Sequence, residues 1–207
     1  EAVVSAINRS SRPLVVVGQG VKQSGATGEL IRFLEEFSLP VASTRLGQDI
    51  LPRSFPLNLG SLGRRGAPHS KEVLQQADFV LAIGARMATQ FAGHNLEHFD
   101  PNSQLFVIDV DESELKKFED PRVVGVLADA GQFLRTIKDL DVNIRSKNWA
   151  SWVESLTKLL DGSVIPNVLK ETRPLDLYHF MSVLDTVARD GQILVTDAGS
   201  NYYVGGQ

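Results

Sequence analysis

The chain has 207 residues, with 21 Lys and Arg against 25 Asp and Glu, four His and no Cys. Its net charge of −4 argues against nucleic acid as a partner, and the lack of Cys excludes a disulfide framework, a thiolate zinc site and a Cys nucleophile. Hydrophobic residues at 43% and charged ones at 22% describe a folded globular chain, and no apolar run approaches the ~20 residues of a membrane helix, so no membrane partner is expected and a cytoplasmic location fits.

In chain order, residues 2–7 read as a helix carrying Val3, Val4 and Ile7, ended by Arg12 and Pro13. Residues 14–17 form a continuous apolar run between Pro13 and Gly18, the pattern of a strand buried on both faces. A helix is expected over 28–37, with Leu30, Ile31, Leu34 and Phe37 on one face, and a strand over 39–42. Residues 44–68 are rich in Gly, Pro and Arg, with room for one short strand at 57–59. A helix over 67–76 precedes buried strands at 79–83 and 105–108. Asp111 can cap a helix, with Glu114 placed for a capping box. A strand over 123–127 and a helix over 130–140 follow. Strands alternating with helices imply an α/β fold: a parallel, roughly six-stranded, Rossmann-like sheet with helices on both faces, over residues 1–142.

The remainder differs. Residues 144–160 read as a helix with Trp149 and Trp152 on one side, and 161–174 as a linker, so 143–174 forms a helix plus linker. Residues 175–189 are amphipathic, with Leu177, Phe180, Met181, Leu184, Val187 and Ala188 facing inward, and residues 192–196 read as a strand. That helix and strand, 175–207, are expected to be the truncated start of a further domain. Both ends look cut: Glu1 follows no Met or basic leader, and Gln207 closes no element.

Chemistry-bearing residues cluster at strand ends. Gly18 and Gly20 follow the first strand, where a phosphate-binding turn would sit, but Gln23 occupies the third glycine position of a dinucleotide fingerprint. A ligand turn and a plain glycine turn both remain open. Arg45, Arg53, Arg64 and Arg65 stand among glycines, suited to phosphate or simply solvated. Gly84 and Arg86 follow another strand. Asp109 can bond a ligand, whereas Asp111 is better read as a cap than as a metal ligand. His94 and His98 lie one helical turn apart but lack a third ligand, so no metal site is expected.

Several stretches, in this order and spacing, resemble the central domain of thiamine-diphosphate-dependent enzymes of the acetolactate synthase and pyruvate oxidase type. They are residues 12–21, 24–26, 39–44, 59–66, 77–86, 107–111 and 127–130. Residues 175–207 resemble the start of the family's third domain, which binds the diphosphate end of the cofactor. The resemblance implies an enzyme, a transferase or lyase, that uses thiamine diphosphate and Mg²⁺. Its chemistry is ylid attack on a 2-keto acid, decarboxylation and transfer of the two-carbon unit. It also implies that the catalytic residues lie in the remaining domains of a parent chain, which is a homo-oligomer, so that no catalytic residue is expected in these 207.

Carried over by position, FAD or ADP would contact Gly18, Gly20, Thr44, Arg45, Leu62, Arg64, Arg65, Gly84, Arg86, Asp109, Val110, Asp129 and Ala130. Gly199, Ser200 and Asn201 would touch thiamine diphosphate in the parent enzyme. Three departures stand out: Arg64 and Arg65 replace Met-His, residues 87–90 replace a Phe-Asp-Asp-Arg run, and Ala128 replaces Gly. Two arginines suit a phosphorylated ligand such as ADP, and a domain that binds nothing is the third alternative. The function expected is that of a central-domain fragment of an acetolactate-synthase-like carboligase. The alternatives are a fragment of a 2-keto-acid or oxalyl-CoA decarboxylase, and a non-catalytic nucleotide-binding module.

Overall fold

The computed structural model describes residues 1–63, 66–67, 69–138, 149–162 and 176–205. Helix α1 (Ala2–Arg9) buries Val3, Val4, Ala6 and Ile7 on one face. Its exit is fixed by Asp78, whose carboxylate accepts from the backbone N–H groups of Ser11 at 2.9 Å and Arg12 at 3.0 Å, and from the Ser10 hydroxyl. The chain thus enters β1 (Pro13–Val17) in register with β4 (Phe79–Ile83), from Pro13 opposite Phe79 to Val17 opposite Ile83. Every residue of both strands is buried, which is why both read as unbroken apolar runs.

Four more strands complete the sheet: β2 (Val41–Ser43), β3 (Asn58–Ser61), β5 (Gln104–Asp109) and β6 (Val123–Leu127). The order is β3-β2-β1-β4-β5-β6, and every pairing is parallel. The edge strand β6 is only half covered, with Leu127 exposed.

Helices α2 (Gln19–Gln23) and α3 (Thr27–Phe37) carry the chain from β1 to β2, and α4 (Ser70–Gln76) carries it from β3 to β4. These two crossings run in opposite directions across the sheet. Right-handed connections therefore place α3 on one face and α4 on the other. The short helices α5 (Thr89–Ala92) and α6 (Glu112–Leu115) link β4, β5 and β6, and α7 (Ala130–Lys138) returns to pack against α3. Asp111 caps α6 as expected, accepting from Ser113 N at 2.9 Å. Phe33 also belongs to the buried face of α3, whereas Ile31 and Phe37 pack at its margin. Neither α2 nor α5 was expected from the sequence; each is at most five residues long, too short to show a period.

Helix α8 (Ala150–Gly162) docks on the same core. Trp149, Trp152 and Leu156 join it, and Trp152 Nε1 donates to Gln76 Oε1 at 3.1 Å. Two expectations fail beyond it. In α9 (Leu177–Val187) no residue is fully buried: Leu177, Met181 and Leu184 are half-buried, whereas Phe180, Val187 and, just past the helix end, Ala188 are exposed instead of facing inward. Residues 192–196 form no strand, and Ile193 and Val195 are 89% and 87% exposed. A strand needs a partner ladder for its N–H and C=O groups, and no neighbouring strand lies beside this segment among the described residues. The chain ends, within the described residues, in α10 (Ser200–Val204) and Gly205, packed on α9. The expected helical residues 139, 140 and 144–148 and the linker 163–174 lie outside the described residues. No described helix is long and apolar enough to cross a membrane.

Candidate nucleotide cleft

The strand order makes a switch point. From β1 the chain moves to one side of the sheet, and from β4 to the other, so the loops after these strands diverge and leave a crevice at their carboxyl ends. Three glycines stand where the two loops meet. Gly18 N donates to Ile83 O at 3.1 Å and Gly20 N to Gly84 O at 3.0 Å. A Cβ on Gly18 would lie 2.2 Å from Gly84 O, and one on Gly20 would lie 2.7 Å from Gly84 Cα. Gly84 itself has φ +53°, in the left-handed region. These glycines let two backbones touch. Contact between the two strand-end loops is thus their first duty, ahead of any approach to a ligand.

The rim continues that stitching. Thr44 N donates to Val17 O and Leu62 N to Ser43 O, each at 2.8 Å. Gly84 N reaches Ile108 O at 2.9 Å, and Ala128 N reaches Asp109 O at 3.0 Å. Each loop is therefore held by the neighbouring strand end, and the carboxyl edge is one hydrogen-bonded ledge.

A cleft of about 2090 Å³ opens along it. Its walls bring together Gly20, Thr44, Arg45, Leu62, Gly84, Arg86, Asp109, Val110, Asp129 and Ala130. Gly18 lies off the walls, and Arg64 and Arg65 lie outside the described residues. Gly199, Ser200 and Asn201 do not face this cleft, although Tyr202 and Tyr203, next in the chain, do. Sequence reasoning missed Gln19, Gln23, Ser24, Lys71, Thr89, Gln90, Glu97 and Tyr178 on the same walls. Gln23 and the 87–90 segment stood out only as departures from patterns. Lys71 and Tyr178 carry no local signal, because helices distant in the chain bring them in.

The wall charges are mixed. One oxygen of Asp109 is used locally, accepting from Asp111 N at 3.0 Å, and Asp129 Oδ1 accepts from Gln132 N at 3.0 Å. Glu97 is held down to about 2 by backbone N–H groups, that of Asn95 foremost. Arg86 stands 4.0 Å from Glu114 and is largely exposed. Arg45 is different: its Nε and Nη1 are buried and have no hydrogen-bond partner among the described residues. A buried cation of this kind calls for an acceptor.

The histidine pair does not form the expected helical face. Residues 94–98 run through bends and turns, with Leu96 at φ 58°, and His98 Nδ1 donates to Phe91 O at 2.7 Å. The described residues place no three His, Asp or Glu together as a metal site.

Comparison with known proteins places the sequence among relatives. Residues 1–137 match the family described as thiamine pyrophosphate enzyme, central domain. The chain is 29% identical to a probable acetolactate synthase large subunit of Methanocaldococcus jannaschii, covering 94% of this chain and 34% of the relative. It is 29% identical to the acetolactate synthase isozyme 1 large subunit of Escherichia coli, covering 94% and 33%. Over a shorter stretch it is 39% identical to the 3D-(3,5/4)-trihydroxycyclohexane-1,2-dione hydrolase of Halalkalibacterium halodurans, covering 63% and 20%. The chain spans about a third of the length of the acetolactate synthases it matches. With its sheet order, its ledge of strand-end loops and this match, the chain belongs to the thiamine pyrophosphate enzyme central-domain family.

Proposed function

We propose that the chain is the nucleotide-binding central part of a thiamine-diphosphate-dependent carboligase acting on 2-keto acids, with FAD or ADP in the cleft. The observation that carries the nucleotide is Arg45. Its Nε and Nη1, buried and without a hydrogen-bond partner among the described residues, belong to a side chain on the wall of a crevice at the switch point, where such sheets take phosphorylated ligands. Arg45 would meet the diphosphate, and Asp109 and Asp129 at neighbouring strand ends would meet ribose or ring polar groups. Likeness to two acetolactate synthases over nearly the whole chain supports the carboligase.

Thiamine diphosphate and Mg²⁺ belong, in this reading, to sites completed by other domains of a homo-oligomeric parent. Gly199, Ser200 and Asn201 do not make a diphosphate cradle by themselves, since the Gly199 N–H already donates to Asp197 O at 2.8 Å. When bound, the cofactor supplies the ylid that attacks a 2-keto acid. This chain's own residues bind and orient the nucleotide.

A second reading, a 2-keto-acid or oxalyl-CoA decarboxylase, is favoured by Thr89 and Gln90 on the cleft wall, in the segment that departs from the acetolactate synthase pattern. Calorimetric titration of the chain with ADP and with FAD tests the nucleotide. One-to-one binding of either is expected, and no heat with both would overturn it. Pyruvate turned over by the parent polypeptide separates the chemistries: acetolactate supports the carboligase, and acetaldehyde without acetolactate supports the decarboxylase.

A further inference from the structure

The cleft has an unexpected wall. Helix α10, far along the chain from the sheet, brings Tyr202 and Tyr203 to the mouth where Arg45 sits. Arg45 Cζ lies 4.1 Å from the centroid of the Tyr202 ring and 5.9 Å from that of Tyr203. The two rings meet edge to face, with centroids 5.4 Å apart and planes at 68°. Arg45 is anchored from below as well. It opens the 3₁₀ turn Arg45–Gly47, in which a Cβ on Gly47 would stand 2.7 Å from Val17 O, so the turn is pressed onto β1.

A guanidinium is planar, and it uses its two kinds of surface for different partners. Its face stacks on an aromatic ring, whereas its N–H donors point outward in the plane. A ring on the face therefore leaves the donor edges available. It also removes water from the charge, which strengthens any interaction that the edges then make. Arg45 has its Cζ 4.1 Å over the centroid of the Tyr202 ring, and its Nε and Nη1 are buried without an acceptor among the described residues.

We propose that Tyr202 is a positioning residue of the nucleotide site, holding Arg45 by its face so that its donor edges meet a phosphate oxygen of the ligand. The proposal rests on the nucleotide reading above and extends it to a segment outside the matched central domain. Tyr202 acts through the π-face of its ring, so Phe substitutes for it and Leu does not.

The experiment is ADP titration of the wild-type chain, Tyr202→Phe, Tyr202→Leu, Arg45→Met and the Arg45→Met/Tyr202→Leu double variant, with melting curves as a check on folding. Tyr202→Phe is expected to bind within about twofold of wild type. Tyr202→Leu is expected to bind about 5- to 10-fold more weakly. In the Arg45→Met background the Leu substitution is expected to add nothing. A ligand-free readout accompanies these: the Arg45 Nε–H proton exchanges slowly in wild type and Tyr202→Phe, and fast in Tyr202→Leu. Equal binding by wild type and Tyr202→Leu, or an equal loss with and without Arg45, overturns the role of Tyr202 while leaving the nucleotide reading intact. Wild type that binds neither ADP nor FAD overturns the nucleotide reading and this proposal with it.

Discussion

Gly18, Gly20 and Gly84 show how one residue type serves a single close approach. Two loops leave adjacent parallel strands in opposite directions, and their backbones cross at hydrogen-bonding distance, which leaves no space for a Cβ. Gly18→Ala is expected to cost about 3 kcal/mol or more, because Gly84 O and Ala85 Cα, both backbone atoms, would have to shift. Gly28→Ala is the control. It lies inside α3, and its added Cβ would meet only Arg32 Nη1 at 3.7 Å, so a gain of about 0.5 kcal/mol is expected. Urea unfolding of both variants checks the pair. That Gly18 and Gly20 mattered was legible in their place after a buried strand. That they serve contact with Gly84 was not, since 64 or more positions separate the partners in the chain.

Elements were legible where burial imposes a pattern. The strands β1, β4 and β5 appear as apolar runs because both faces of the sheet are covered, and α3 and α7 carry a 3.6-residue apolar stripe. Legibility failed where local pattern and tertiary partner part company. Residues 192–196 have the apolar composition of a strand, yet they stand exposed without a ladder. The helix α8 shows the converse: its two Trp side chains find a place on the core of the sheet domain. Trp152→Ala is expected to release that docking at about 3–4 kcal/mol. Trp152→Phe keeps the packing and loses only the bond to Gln76, at about 1 kcal/mol. Chemical denaturation of the two variants side by side distinguishes packing from hydrogen bonding as the main hold on α8.

At the scale of the molecule, stability is expected to depend on pH through a histidine that the sequence did not single out. His69 is buried at the start of α4, its Nε2 donates to Leu59 O at 2.8 Å, and its Nδ1 is buried without a partner among the described residues. Burial lowers its pKa, against the raising effect of the Leu59 carbonyl; Arg53 adds to the lowering and Glu72 opposes it. The unfolded chain therefore takes up this proton at higher pH than the folded one. The stability held by neutral His69 is complete above about pH 6.5 and is lost as pH falls toward the lower folded value. His69→Gln, which can keep the bond to Leu59, is expected to flatten this part of the profile. Urea midpoints at about pH 7.5 and about pH 5.5 read it out: an equal drop in wild type and variant would remove His69 as the cause.

The sequence by itself determined the α/β class and the positions of the strand ends, because burial on both faces and short glycine turns leave a local imprint in composition and period; the family came from the resemblance of its ordered stretches to known sequences. Tertiary structure alone decided which strand ends meet, what Gly84 presses against, and where Trp152 docks. It alone set Tyr202 over Arg45. These contacts join residues far apart in the chain, and chain-distant contacts depend on the path of the backbone, which no local pattern records.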